Sequence, residues 1–331
     1  MLILQQTSFL IMVMFDFSLS FSFGRKQKAH MEMPTVSQFL LSANDAAATV
    51  SGSVSKSTVT NYNTALRSFA AFCREHGNDS RMTAATMTSY QQWLSQRGVR
   101  RNTSSCYLRS LRSLYKRTFP ETDNPFAGAF TGNERTRKRA LSAEMMARFI
   151  ANTPHAGTPL RLWHDVFLFS FLGLGIPFAD LARLSHDNIS GDTIVYRRRK
   201  TSQRISVPLL PEMREIIQRY RGSSPCGLLF PILPSADCGW QTYHNSITRY
   251  NRALHRLSVA AGLPGDITSY VARHTWASLA NTSGVSLHHI SQALGHTNIK
   301  TTEIYLARIP DDEMMRDSIT VANAVADAMG R

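Results

Sequence analysis

The sequence predicts a mainly α-helical protein with one small β-sheet, divided into an N-terminal helical domain and an α+β C-terminal domain. Three observations predict this. Apolar side chains recur at helical spacing through segments on both sides of the chain's middle. Two short runs rich in β-branched and aromatic residues, Thr193 to Tyr196 and Arg204 to Leu210, supply the strand signals. Between the helical halves, residues 120–140 gather Pro120, Pro125, Gly128, Gly132 and the charge run Glu134 to Arg139, the chemistry of a linker. A chain of 331 residues is long enough to bury a separate core in each half.

Residues 1–33 read as an upstream extension, with a disordered arm or a membrane-touching segment as the alternatives. Met1 to Phe23 is rich in Leu, Ile, Met, Phe and Ser, and basic residues follow it at Arg25, Lys26 and Lys28. A secretory signal carries its positive charge before the apolar run, and Asp16 interrupts this one, which makes it a poor membrane span. Met31 or Met33 is the expected start, and no membrane partner is expected.

The N-terminal domain is expected over residues 34–119, with its first clear helical signal near Ser55. Thr58 to His76 places Val59, Tyr62, Ala65, Leu66, Phe69, Phe72 and Cys73 on one helical face, and the turn residues from His76 to Ser80 end it. Ala84 to Gln96 repeats the pattern with Met87, Tyr90 and Trp93. A basic loop, Arg97 to Asn102, leads into a third helix from Thr103, whose apolar Tyr107, Leu108, Leu111, Leu114 and Tyr115 oppose Arg109, Arg112, Lys116 and Arg117. That division suits a helix packed on its siblings with its other side against DNA, so Arg101, Arg109, Arg112 and Lys116 are candidate phosphate contacts.

The C-terminal domain is expected over residues 141–331. Ser142 opens a helix with an apolar face of Met145, Met146, Phe149 and Ile150, and Asp165 to Leu172 reads as a buried helix. Gly173 to Pro177 breaks it, and Phe178 to Leu184 starts again with Asp180 in its first turn. The two strand runs form a hairpin around the polar stretch Arg197 to Gln203, with Lys200 near its tip and Arg204 a candidate DNA contact. Helices then resume. Thr242 to Ala260 carries Arg249, Arg252 and Arg256 on one side, the next bears Tyr270 and Arg273, and a short one covers His288 to Leu294. Tyr305 sits on a further helix closed by Pro310. A last one opens on Asp311, Asp312 and Glu313, with Met315, Ile319, Ala322, Ala326 and Met329 on its apolar face.

A net charge of +14 and a pI of about 10.1 predict attraction to a polyanion, with binding that weakens steeply in salt. Cys73, Cys106, Cys226 and Cys238 form no C-x-x-C pair, and no histidine pair has zinc-finger spacing. A reducing cytoplasm fits.

The chemistry concentrates in Tyr270 to Trp276, Leu294 to His296 and Thr301 to Tyr305. A guanidinium grips phosphate oxygens with a fixed fork of donors. An imidazole donates to the same group or moves a proton. A phenol becomes the covalent nucleophile. Arg273, His296 and Tyr305, in that order and at that spacing, resemble the C-terminal box of the tyrosine recombinase (phage integrase) family. The run Tyr270, Val271, Ala272, Arg273, His274, Thr275, Trp276, Ala277 is most similar to site-specific integrases of Bacteroides-type mobile elements.

The resemblance covers Ser55 to the C-terminus and implies a SAM-like helical core-binding domain that clamps DNA, joined to a tyrosine recombinase catalytic domain. It implies that Tyr305 attacks a phosphodiester to give a 3′-phosphotyrosyl bond and a free 5′ hydroxyl, with Arg273 and His296 on the phosphoryl group. Lys200 would protonate the leaving oxygen, and neither metal nor ATP would take part. It also implies double-stranded DNA sites as substrate and a homo-tetramer on DNA. Tyr270 stands where most of the family has a histidine, and a phenol is a poor base at neutral pH.

One family feature is missing. Phe169, Ser170 and Phe171 before the break, and Pro177 to Ala182 after it, match the Bacteroides-type pattern. That register puts Leu174 where the family's first arginine stands, and the more general pattern puts Gly175 there. Losing one such donor costs about 3 kcal/mol of transition-state stabilisation. Arg183, Arg197, Arg198 and Arg199 are the nearby stand-ins, and the sequence does not choose among them. Two other functions compete: a DNA-binding protein whose catalysis is weakened or lost, and a type IB topoisomerase.

Overall fold

The structure, a computed structural model, describes residues 32–134 except 78–79 and residues 140–296 except 225 and 266, together with 298, 302, 315, 319 and 323. The chain divides into two compact units, the second beginning at Arg135.

The first unit holds helices α1 (Val36–Thr49), α2 (Lys56–His76), α3 (Ala84–Gln96) and α4 (Arg101–Thr118). Local chemistry sets their starts. The Thr35 hydroxyl accepts from the Gln38 N–H while the Gln38 side chain accepts from the Thr35 N–H, a reciprocal box that opens α1. The hydroxyls of Ser55 and Thr83 accept from the N–H groups of Thr58 and Thr86 and open α2 and α3. Helix α1 lies ahead of the first helical signal read near Ser55, because its buried stripe of Val36, Phe39, Ala43 and Ala47 has only one large side chain. An aromatic cluster fills the core. Phe69 meets Tyr90 edge-on with centroids 5.1 Å apart, and Phe39 packs on Tyr115 at 5.6 Å, the geometry that ring quadrupoles prefer.

The first unit continues past the expected linker start at Pro120. Phe126 and Ala129 are buried in its core, and residues 130–134 are tied to α3 and α4. The Gln91 amide both donates to and accepts from the Phe130 backbone, and Asn102 does the same with Glu134. The Pro and Gly residues of this stretch therefore make a packed loop up to Glu134.

The second unit contains α5 (Ala143–Ala151), α6 (Pro159–Leu172) and the single turn α7 (Phe178–Leu181), followed by β1 (Ile189–Ser190), β2 (Thr193–Arg197) and β3 (Arg204–Pro208). It continues with α8 (Pro211–Arg219), α9 (Trp240–Ala260), α10 (Val271–Thr282) and α11 (Leu287–Ala293). The sheet is antiparallel in the order β1-β2-β3. Ile194 pairs with Val207 and Tyr196 with Ile205, all four buried, while Arg197 pairs with Arg204 on the exposed side. Strand β1 escaped the sequence reading because two residues are too short to show a period. Pro211 sits in the first turn of α8, where its missing N–H costs nothing, and Met213, Ile216 and Ile217 of that helix are buried.

The core of this unit is built around Phe149, Phe167, Phe169, Phe230 and Tyr250, with α10 packed on α6. One buried carboxylate joins α6 to the end of α8: Asp165 accepts from Arg161, Arg219 and Tyr220, with His164 beside it. Burial pushes its pKa up, but the hydrogen bonds outweigh that and hold it at about 2.

Among the described residues no helix is long and apolar enough to cross a membrane, and the four cysteines are free thiols. The Met1 to Phe23 run lies outside the described residues. So does most of the expected last helix, of which Met315 and Ile319 are helical and exposed.

Candidate active site

Helix α10 delivers Arg273 into the interior, where the residue keeps 2% of its exposure. The helix is anchored by Thr275, whose hydroxyl accepts from the Leu141 N–H at 3.0 Å. The Arg273 Nη1 donates to the Gly175 carbonyl at 3.0 Å, and Nη2 donates to the Leu294 carbonyl and to His296 Nε2, the latter at 3.2 Å. The two residues that the sequence singled out are therefore neighbours in space. Because Nε2 accepts, the imidazole proton sits on Nδ1, which donates to the Thr302 hydroxyl at 2.8 Å. Burial lowers the His296 pKa to about 4, helped by the positive charges of Arg273, Arg198 and Lys200. The free protein thus holds a neutral imidazole at pH 7.

The break between α6 and α7 lies directly on Arg273. Gly175 has φ +74°, and a Cβ there would fall 2.7 Å from the Arg273 Cα. An arginine at position 175 would occupy the volume that Arg273 already fills. Leu174 also has a positive φ, 60°, and its side chain packs against the hydrophobic core. Position 175 therefore has no room for an arginine beside Arg273, and Leu174 is partly buried against the core.

A second guanidinium arrives from the hairpin. Arg198 follows β2 in a tight turn closed by its N–H to the Gln203 carbonyl and by the Ser202 N–H to its own carbonyl, both at 2.8 Å. Its side chain is buried, and Nη1 donates to the carbonyls of Leu294 at 2.6 Å and Gly295 at 3.3 Å. Nε lies 3.6 Å from the Asp180 carboxylate. Asp180 also accepts from the Arg199 N–H at 3.0 Å, so one buried acid holds both the arginine and the turn that presents Lys200. Burial raises the pKa of Asp180 against the opposing pull of the Arg199 N–H, Arg198 and Arg273. Gly295 allows this approach: a Cβ there would meet Ile205 at 2.7 Å and Arg198 at 2.9 Å.

Lys200 is exposed at the hairpin turn and acts on the charge of His296. Tyr270 precedes α10 as its N-cap, 43% exposed, with its ring edge-on to His274 at 4.8 Å. Tyr305 lies outside the described residues. Arg204 is exposed opposite Arg197.

The basic face of α4 has a second task that the sequence did not disclose. Arg109 donates to the carbonyls of Thr131 and Gly132 and to the Asn133 side chain, and Arg112 donates to the Thr131 hydroxyl. Arg101 lies over the Phe130 ring at 4.2 Å and 3.7 Å from Glu134. These three hold residues 130–134 in place, while Lys116 stays exposed.

The sequence left Arg198 as one of four stand-ins and gave no sign that Asp180 lies against it. A signal for Arg198 existed. Along β2, Ile194 and Tyr196 point inward, and the next inward position in a two-residue period is 198.

Comparison with known proteins places the fold. The model of the phage integrase family matches residues 139–310, more than half of the chain, and that of the phage integrase SAM-like domain matches residues 38–126. The tyrosine recombinase XerD of Vibrio cholerae is 24% identical over 67% of this chain and 75% of its own length. The tyrosine recombinase XerC of Rhodospirillum centenum is 26% identical over 75% of this chain and 76% of its own. Among solved structures, an integrase of the Tn1549 transposon in complex with a circular intermediate DNA shares the fold with a TM-score of 0.65 at 17% identity, over 87% of this chain and 100% of that one. A lambda integrase tetramer bound to a Holliday junction shares it with a TM-score of 0.61 at 16% identity, over 85% and 81%.

Proposed function

The chain belongs to the phage integrase family of tyrosine-type, site-specific DNA recombinases, and from that membership we propose how its own residues divide the reaction. Tyr305 attacks a DNA phosphodiester: its phenolic oxygen bonds to phosphorus, the bond to the 5′ oxygen breaks, and the electron pair leaves with that oxygen. Arg273 donates to the non-bridging oxygens. Lys200, exposed on the hairpin, gives a proton to the leaving 5′ oxygen. A 5′ hydroxyl from a partner duplex later reverses the step and frees Tyr305.

His296 is the group suited to take the phenolic proton. Its Nε2 lone pair faces Arg273, and the cations that depress its pKa are the ones a bound phosphodiester neutralises. Substrate charge therefore opposes the cationic part of that depression, while burial, its largest cause, remains. Tyr270, partly exposed and a poor base, orients or donates instead. The single observation that carries this reading is the contact between Arg273 and His296, which joins the first two members of the block that ends in Tyr305.

For the wider assembly, Lys116 and Arg204 contact phosphates directly, while Arg101, Arg109 and Arg112 shape the end of the first unit. Double-stranded recombination sites are the substrate and a homo-tetramer is the working form, a reading supported by the lambda integrase tetramer on a Holliday junction. The run around Arg273 supports a Bacteroides-type mobile-element integrase, at work where its DNA is, in the cytoplasm.

Tyr305→Phe is expected to remove covalent trapping on a nicked suicide duplex and to leave DNA affinity within about twofold. Denaturing gels and mobility shifts read the two effects. Trapping that survives the substitution would show that Tyr305 is not the nucleophile, and a wild-type chain that binds but never traps DNA would favour the reading of lost catalysis. Relaxation of supercoils without any site requirement would favour a topoisomerase.

A further inference from the structure

We infer that Arg198 supplies the second phosphate-gripping guanidinium, in place of the arginine that the Gly173–Pro177 break lacks. The inference rests on the recombinase reading above and deepens it at the same site.

The geometry separates Arg198 from the other candidates. Arg183 is committed elsewhere: Nε donates to the Ala236 carbonyl at 2.9 Å, Nη1 to the Ala179 carbonyl at 3.0 Å, and its guanidinium lies over the Tyr243 ring at 4.8 Å. Arg197 and Arg199 are exposed on either side of Arg198. Arg198 alone of the four points into the interior beside Arg273. Its Nη1 and the Nη2 of Arg273 donate to the same oxygen, the carbonyl of Leu294. Two atoms that share one acceptor must lie within a few ångströms of each other. A phosphoryl oxygen brought to that place meets both forks at once, with His296 next to it.

The electrostatics agree. Burying a guanidinium is costly unless anions and acceptors surround it, and two within hydrogen-bond reach of one oxygen repel each other as well. Asp180 is the carboxylate that acts on both. A transition state with extra negative charge on the phosphoryl oxygens would gain from the same pair of forks. The fixed approach of Arg198 also suits catalysis, because its backbone is pinned at both ends of the turn and its Nε faces Asp180.

The test compares covalent trapping by wild type, Arg198→Ala and Arg198→Lys on two suicide duplexes. One carries an ordinary scissile phosphodiester and the other a neutral methylphosphonate at that position. On the ordinary duplex, Arg198→Ala is expected to trap about 10²–10³-fold more slowly, the usual effect of deleting one donor to a developing oxyanion. Arg198→Lys, which keeps the charge but loses the fork, should fall between. On the methylphosphonate, where there is less charge to neutralise, Arg198→Ala should come within about tenfold of wild type.

A full rate for Arg198→Ala on the ordinary duplex overturns the inference. An equal deficit on both duplexes also overturns it, because a purely structural role is not rescued by removing substrate charge. If Arg198→Ala does not fold by thermal melting, Arg198→Lys decides. A loss of at least about tenfold with normal melting and DNA binding supports the role, and an unchanged rate removes it. Failure of wild type to trap either duplex through Tyr305 would instead sink the parent reading.

Discussion

Gly175→Ala is expected to lower covalent trapping by about 10²–10³-fold, although it adds only one methyl group. Two physical effects combine. Residue 175 has φ +74°, a backbone conformation that costs a side-chain-bearing residue about 1–2 kcal/mol. The added Cβ would also stand 2.7 Å from the Cα of Arg273 and 2.9 Å from its Cβ and Cγ. Those neighbours are backbone and stem, not a flexible tip, so the helix end or the break must shift. The Gly175 carbonyl, which accepts from Arg273 Nη1, shifts with it. A displacement near 1 Å of a phosphate-gripping group costs about 10²-fold in rate. Single-turnover trapping and thermal melting together test this. A variant that reacts at the wild-type rate would mean that the break does not position Arg273.

Asp165→Asn is expected to destabilise the second unit by about 3 kcal/mol while leaving the chemistry of any remaining folded protein unchanged. The carboxylate is buried and accepts from Arg161, Arg219 and Tyr220. An amide offers one acceptor oxygen and brings two donors into a place already full of them, and removing one partner of a buried charged network costs about 3–5 kcal/mol. In a unit of this size that corresponds to a fall of roughly 10 °C in melting temperature. The pH dependence has a definite sign. The folded pKa of about 2 lies below the ordinary carboxylate value, so the stabilisation is complete above that value and is lost as pH falls toward 2. Acid unfolding of wild type below pH 4 should steepen for this reason, and the asparagine variant should lack that component. Equal melting temperatures at pH 7 would show that the hub is dispensable.

The parts of the fold that the sequence disclosed are those with strong periodic patterns. Helices α2 and α3 carry large apolar residues at regular steps, and β2 and β3 alternate cleanly, so one chain suffices to place them. Helix α1 is lined mainly by alanines, β1 is two residues long, and the packed loop up to Glu134 is rich in Pro and Gly. Each of these is fixed by contacts with distant residues, such as Gln91 to Phe130, and those leave little periodic trace.

The candidate site divides in the same way. Arg273 and His296 were legible because the chemistry demands those groups in that order, and the structure brings them together. The basic side of α4 read as a DNA face from its charge pattern, which carries no trace of the carbonyls that Arg109 also holds. Arg198 was hidden in a run of four cations, where only the inward step of the strand period distinguishes it from its neighbours.

The pairing of Arg197 with Arg204 across β2 and β3 gives the hairpin two opposed responses to ionic strength. Like charges directly opposite on adjacent strands repel, and added ions screen that repulsion, so the free hairpin should hold its ladder more firmly as the buffer is concentrated. The affinity of basic side chains for a duplex moves the other way. Amide exchange in β2 and β3 should therefore be fastest in the dilute buffers where the duplex binds most tightly, and the duplex would act as the counterion that completes this edge of the sheet.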